Sequence, residues 1–479
     1  MERTFHVGSF CGQFAKMKIR TLSRSRKEHT RERPQDIHRV SRNLDPKLHP
    51  FARQREYVRA RNAVKLDKMF AKPFVGALDG HADGVYAMAT SPKSLVGLIT
   101  GAGDGEVRVW DIAQKRTLWS VRAHRGIVKG VTVSNDGRHF FSCGKDAIIK
   151  QYPLAMKVDY SYADDDDNDD DDDDKMMEWA NEPVKTWSSS GAFTDIDHHW
   201  YNSSFATSGM AVQIWDSKRS EPVQSLKWGT DTVESVAFNP AEVCLLGSVT
   251  SDRHIVLHDV RDGKNLRKVT MSMKLNAFAW NPMEPLNFTV ASEDHNCYTY
   301  DMRKLKRSMM VHKDHVGAVM SISYSPTGRE FVTGSYDRTV RIFRLREGRS
   351  REVYHTRRMQ RVFCVGFSSD SEYVLSGSDD TNVRVWKTNA SKTQGRLLPR
   401  ERNKLKYMAA LRKRFQHVPE LKRIIRHQHL PRVIKKMGKR KQESRDKESR
   451  KLKNRKLHSK PGTVKGMPER ERYIIKEHE

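Results

Sequence analysis

Trp110, Tyr152, His258, Tyr300, Phe343 and Trp386 each follow an aspartate by six positions: Asp104, Asp146, Asp252, Asp294, Asp337 and Asp380. Successive aspartates are 42, 106, 42, 43 and 43 residues apart, and the long interval splits at Gly209, six before Trp215, into 63 and 43. The chain therefore repeats a unit of roughly 40–45 residues seven times, once without its aspartate. A unit of that length ending in a strand cannot bury its apolar side alone, so it stacks on its neighbours. Closing seven such units into a ring leaves few exposed sheet edges. The expected fold is all-β, a seven-bladed β-propeller over residues 73–390, and its ring is closed by the extended segment Pro73–Leu78 pairing with the blade that ends at Trp386.

Four residues before the aspartate stands Thr100, Ser142, Ser248, Thr333 or Ser376, and 22 or 23 before it His81, His124 or His315. In the first unit His81, Thr100, Asp104 and Trp110 are predicted to form one hydrogen-bonded chain that satisfies polar groups buried by the blade. Repetition at a fixed offset from a strand end makes Asp146, Asp252, Asp294, Asp337 and Asp380 structural by the same reasoning, and no residue is assigned a catalytic role. There is no GxxxxGK[ST] phosphate loop and no HExxH helix. Asp195, Asp197, His198 and His199 adjoin, but neighbouring strand residues point to opposite faces, so no metal site is expected. Cysteines 11, 143, 244, 297 and 364 form no CxxC pair, which fits a reducing compartment. No apolar run approaches the ~20 residues that cross a bilayer. No cofactor, membrane or small-molecule substrate is expected.

The net charge of +29 is unevenly placed. Residues 1–72 hold 19 Lys and Arg against 7 Asp and Glu, and residues 396–479 hold 29 against 9. The chain between them sums to −3, and ten of its acids lie between Asp164 and Asp174. That run stretches one repeat and predicts a disordered acidic insertion near 160–180. Two basic flanks point to a polyanionic partner, in a cell usually nucleic acid.

In the N-terminal arm (residues 1–72, with 1–16 a possible extension before an alternative start at Met17), a helix is expected only between Pro50 and Phe70. It interleaves apolar residues with Arg53, Arg55, Arg59 and Arg61. The C-terminal tail (396–479) predicts one helix over 400–416, able to dock on the propeller, and a second from Pro419 to Arg426. Its candidate RNA-contacting or partner-contacting residues are Lys404, Lys406, Arg412, Lys413, Arg414, Lys422, Arg423, Arg426, His427, His429, Arg432, Lys435, Lys436, Lys439, Arg440 and Lys441. Tyr407, Phe415, His427 and His429 are candidates for stacking on bases, with Phe415 better explained by its own helix. Residues 435–456 have too few apolar side chains to bury a face and are expected to be solvated or bound to an anion. Lys435–Lys441 also reads as a nuclear localisation cluster.

Several stretches outside the repeat positions resemble the WD repeat and SOF domain-containing proteins: Asn43–Phe51, Arg55–Tyr57, Phe70–Phe74, Asp197–Trp200, Trp280–Glu284, Ser350–Thr356, Arg426–Pro431 and His458–Gly462. The resemblance implies a WD40-type propeller acting in ribosome biogenesis. It would be a non-catalytic, nucleolar component of the small-subunit processome, with pre-ribosomal RNA, a box C/D small nucleolar ribonucleoprotein and other processome proteins as partners. It also implies an alternative, since family members have been assigned as substrate receptors of cullin-RING ubiquitin ligases through a Trp-Asp-x-Arg element. The nearest matches here are Asp259 with Arg261 and Asp301 with Arg303, preceded by His258 and Tyr300 instead of Trp; a turn ion pair explains the same residues.

Overall fold

The computed structural model describes residues 46–48, 50–154, 181–227, 231–460, 462–464 and 466–478. Most of the basic arm and the acidic insertion expected near 160–180 lie outside the described residues.

Seven antiparallel sheets form the ring. Blade 1 covers residues 85–122, blade 2 128–153 with 185–188, blade 3 195–226, blade 4 233–271, blade 5 275–312, blade 6 319–354 and blade 7 362–387. The outermost strand of blade 7 comes from the other end of the chain: Phe74–Leu78 pairs antiparallel with Val383–Lys387, Leu78 opposite Val383 and Phe74 opposite Trp386. The ring is closed as its sequence predicts, and the strand from the other end of the chain makes blade 7 four-stranded like its neighbours.

Second strands such as Gly97–Ala102 and Leu245–Thr250 are buried at every position. A neighbouring blade covers each side of them, which is why they read as apolar runs without alternation. In blades 1, 2, 4, 5, 6 and 7 the innermost strand is irregular at its start, with a shift such as that between Val85 and Ala87. Such bulges add the local twist that a radial sheet needs.

The turn between the second and third strands explains the repeated aspartate. The residue after it is left-handed in six blades: Gly105 (φ 88°), Ala147 (61°), Arg253 (68°), His295 (71°), Arg338 (62°) and Thr381 (69°). In four of these turns the aspartate Oδ1 accepts the backbone N–H two residues on, from Glu106, Ile148, Asn296 and Thr339, at 3.0, 3.3, 3.0 and 3.0 Å. A short carboxylate that folds back on its own backbone stabilises this turn.

Four helices flank the ring: α1 (Ala52–Met69), α2 (Pro399–Phe415), α3 (Pro419–Arg426) and α4 (Arg432–Leu457). Pro399 and Pro419 each occupy a first helical turn, where the missing N–H costs nothing. Ala60 and Val64 of α1 pack against Leu411 of α2 and Leu421 of α3, with Tyr57, Phe415, Val418 and Ile424 around them. The helix expected over 400–416 thus docks on the arm helix. After α4 the chain returns to the ring, where Ile474–His478 adds a fifth strand to the outer edge of blade 4 along Lys268–Met271. Nothing in the reading of the sequence anticipates that strand.

Candidate partner-binding surfaces

Because the strands alternate in direction, the turns between second and third strands share one face of the ring with the loops that enter each blade. This is the corner face. The other turns form the reverse face.

On the corner face the histidine, hydroxyl and aspartate of the predicted chain are linked in two blades, without the aromatic strand end, which there is Tyr152 or Phe343. His124 donates from Nδ1 to Asp146 at 3.0 Å and its Nε2 meets Ser142 Oγ at 2.9 Å; His315 does the same with Asp337 (2.9 Å) and Thr333 (2.7 Å). Burial keeps both imidazoles below their usual pKa. Burial alone would raise the Asp337 carboxyl, but His315 and Arg341 hold it well below the usual range.

Blade 1 departs from the prediction. His81 Nε2 bonds Thr100 Oγ1 and Thr100 accepts from Trp110 Nε1, both at 2.7 Å. Asp104, however, turns back to its own loop, while the Glu106 carboxylate stands 3.6 Å from His81 Nδ1, which has no hydrogen-bond partner. Asp380 pairs with Arg384, since blade 7 has no histidine at that corner. Asp294 accepts from the Tyr298 hydroxyl. At Asp252 the blade relies on another link, with His258 in the tryptophan position bonded to Ser248 at 2.7 Å and to Asn265. The aspartates therefore share a turn more than they share a network.

The ligase candidates lie on the reverse face, on adjacent blades. Asp259 accepts the Arg261 N–H at 2.9 Å, and the Arg261 side chain is exposed. Asp301 holds Arg303 in a two-point pair, Oδ2 to Nη2 at 2.9 Å and Oδ1 to Nε at 3.1 Å, and also takes its N–H. This Arg303 guanidinium is committed to its own turn.

The tail cations divide into two sets. Lys404, Lys406, Lys413, Lys422, Arg423, Arg426, His427, Arg432, Lys435, Lys436, Lys439 and Arg440 are exposed, along with Arg53, Arg55 and Arg59 of α1. Arg412 and Arg414 instead pair with Asp67 and Glu56 of α1, and Arg61 is partly buried. His429 stacks on His355 with ring centroids 5.7 Å apart, and Tyr407 accepts from Arg59 at 3.4 Å. Phe415 meets Tyr57 edge-on at 6.1 Å. Of the four side chains considered for base stacking, His427 has its ring least engaged within the chain.

Residues 435–456 are mostly exposed, as a stretch with so few apolar side chains should be, but not wholly: α4 lies on the corner face over blades 5 and 6 and two of its cations are bonded there. Lys441 Nζ donates to His315 O at 3.0 Å, and Arg445 Nη2 reaches Asn296 Oδ1 at 3.4 Å. A lysine buries its aliphatic stem while its ammonium finds a carbonyl, so a helix rich in Lys and Arg can dock without an apolar stripe. Burial, then the nearby Arg445, pushes Lys441 down to about 8, and Lys313 beneath it likewise to about 8. The far end of α4 is tied by Glu448 to Arg472 at 2.7 Å, and Tyr473 packs against Tyr298 with centroids 5.2 Å apart.

A central channel of about 750 Å³ runs between the innermost strands. Asp195 and Asp197 line it and brace blade 3 against blade 4. Asp195 accepts from Ser235 Oγ at 2.7 Å and Val236 N at 3.2 Å, and Asp197 from Phe238 N at 2.7 Å. Burial raises their carboxyls to about 6 and about 7. His198 and His199 diverge into separate backbone contacts, with His199 O and Val243 O. Among the described residues no group of His, Cys, Asp and Glu has the arrangement of a metal site, and no helix is long and apolar enough to cross a membrane.

WD-domain G-beta repeats match residues 72–111, 115–152, 306–344 and 352–387, and the Sof1-like domain matches residues 388–474. The repeat pattern is thus recognised in blades 1, 2, 6 and 7, while blades 3 to 5 have diverged from it. The Sof1-like segment begins where the ring ends and holds α2, α3, α4 and the start of the added strand. The chain is 45% identical over 459 residues to "DDB1- and CUL4-associated factor 13" of Xenopus laevis, covering 96% of this chain and 99% of that one, and likewise 45% identical to the Homo sapiens protein of that name. It is 44% identical over 432 residues to "Protein SOF1" of Saccharomyces cerevisiae, covering 88% and 87%. With a seven-bladed ring, a basic helical tail and relatives of this extent, the chain belongs to the WD-repeat family that carries a C-terminal Sof1-like domain.

Proposed function

We propose that this protein is a non-catalytic assembly factor in ribosome biogenesis, acting in the nucleolus on the small-subunit precursor. Its partners would be pre-ribosomal RNA, a box C/D small nucleolar ribonucleoprotein and other proteins of the same particle. The observation that carries the reading is the division of the tail. The Sof1-like segment uses a few cations to fix itself to the ring and to α1 and leaves eleven of the candidate Lys and Arg pointing to solvent on helices of fixed orientation. Such a surface neutralises RNA phosphates with salt-dependent affinity and little sequence preference. Most of the repeated aspartates are engaged in turns or with a histidine, tyrosine or arginine of their own blade, which supports a structural role for them.

A second reading, substrate receptor of a cullin-RING ligase, is supported by the name of the vertebrate relatives and by the adjacency of Asp259–Arg261 and Asp301–Arg303 on the reverse face. The closed Arg303 pair and the missing tryptophans weigh against it as the main role.

Ultraviolet crosslinking in cells, with sequencing of the attached RNA and mapping of the crosslinked peptides, separates the two. Crosslinks to precursor ribosomal and box C/D RNA through residues 404–440, unchanged when Asp259, Arg261, Asp301 and Arg303 are all replaced by alanine, are the expected result. An absence of RNA, with ligase subunits retained only by the intact chain, would overturn the assembly reading in favour of the second.

A further inference from the structure

Helix α1 has two apolar sides, and α2 and α3 cover one of them. Ala60, Ala63 and Val64 are buried on that side. On the other, at helical spacing, Phe51 (66% exposed), just before the first turn, Val58 (42%), Leu66 (44%) and Met69 (72%) form a row that Phe70 (71%) extends, with Arg55 and Asn62 set between its apolar members. A helix packed on one side ordinarily turns polar residues outward. This one cannot roll to hide its stripe. Lys68 is paired with Glu352 of blade 6 at 3.1 Å, and Lys72 N donates to Ala390 O at 3.1 Å just beyond the helix.

The charges around the stripe have one sign. Arg59 and Lys65 flank it, Arg55 stands within it, and all three are exposed. The two acids of α1 are engaged elsewhere, Glu56 with Arg414 at 2.7 Å and Asp67 with Arg412. An apolar stripe with cationic margins is complementary to an apolar stripe with anionic margins. Eighteen residues of helix give about 27 Å, enough to seat five turns of a partner. The middle of the stripe is aliphatic, Val58 and Leu66, with the aromatic side chains only at its ends. Bases stack on rings, so this surface suits a protein and the exposed cations of the tail suit RNA.

We propose that the outer face of α1 is a docking surface for an acidic amphipathic helix of another protein. The proposal does not depend on the RNA reading. Its test is a photo-reactive benzoylphenylalanine placed in turn at Val58 and at Leu66 of the full chain, crosslinked in cells, with the attached peptides identified by mass spectrometry. Peptides from another protein with apolar residues three and four apart, bordered by Asp or Glu, are expected. Their yield should fall about tenfold, equivalent to ~1.4 kcal/mol, when Arg55→Glu and Lys65→Glu are combined. Both positions are exposed, so thermal unfolding of that double variant should match the parent. Crosslinks to RNA, to another part of the same chain, to a second copy or to a segment without acidic margins would overturn the proposal, as would a yield indifferent to charge reversal.

Discussion

Asp337 is the most heavily engaged of the repeated aspartates, capping its turn through the Thr339 N–H and holding His315 on its other oxygen. Replacing it with alanine leaves a buried imidazole N–H without an acceptor and a buried Arg341 less compensated. Asp337→Ala should therefore cost about 3 kcal/mol, seen in chemical denaturation, with RNA affinity at fixed salt unchanged. A selective loss of binding in a fully stable variant would make the residue functional. Thr381 presents the opposite case: a β-branched residue at φ 69° stores strain on the order of 1 kcal/mol. Thr381→Gly should raise the unfolding midpoint. Asp195 and Asp197 carry a pH signature. Their folded pKa values, about 6 and about 7, lie above the unfolded value of 3.8. Their stabilising contribution is complete below pH 4 and is lost as pH rises through 6 and 7. Asp197→Asn keeps an acceptor for Phe238 N without the buried charge, so it should melt higher than the parent at pH 8, and the gain should shrink as pH falls and vanish below pH 4. A constant difference across that range would show that the carboxyl titrates normally.

At the scale of elements, the repeat made the blades legible because a six-residue offset between a turn and an aromatic strand end recurs whatever fills the core. The closing strand was legible for the same reason, since a ring of this kind needs a partner for its last blade. The helices over Pro50–Phe70, 400–416 and 419–426 could be read from apolar spacing and prolines. What those helices touch could not. The pairing of α1 with α2 joins residues more than 300 positions apart through Ala60, Val64 and Leu411, and a single chain carries no local sign of that contact. Docking of α4 was hidden by its composition, because Lys441 and Arg445 read as solvent-facing until the carbonyl of His315 and the amide of Asn296 are seen beneath them. The added strand Ile474–His478 is short and half charged, and an edge of blade 4 that accepts it looks like any other edge. Its removal is the direct test of how α4 is held. Truncation after Pro468 should leave a folded ring, expose Lys268 and Thr270 amides to fast hydrogen exchange and make α4 sensitive to trypsin. Unchanged protection of α4 would mean that Lys441 and Arg445 suffice.

For the whole molecule, closure is the main structural commitment. Deleting residues 1–79 removes the outer partner of Val383–Lys387 and leaves blade 7 with three strands and that strand as its exposed edge. Such a variant should unfold cooperatively at much lower temperature or aggregate, whereas deletion of residues 1–45 should leave the melting temperature of the ring unchanged. The basic tail is gathered beside and across a ring that, without the acids at 164–174, is itself only mildly basic. α1 is made among the first residues of the chain, and α2 and α3, which cover its inner side, are made after the last blade. During synthesis this helix waits with both apolar sides bare until the ring has been built and the tail arrives. The surface that α1 forms jointly with α2 and α3 is thus absent until all seven blades have been synthesised, so a partner that needs both arm and tail meets only chains that already carry the whole ring.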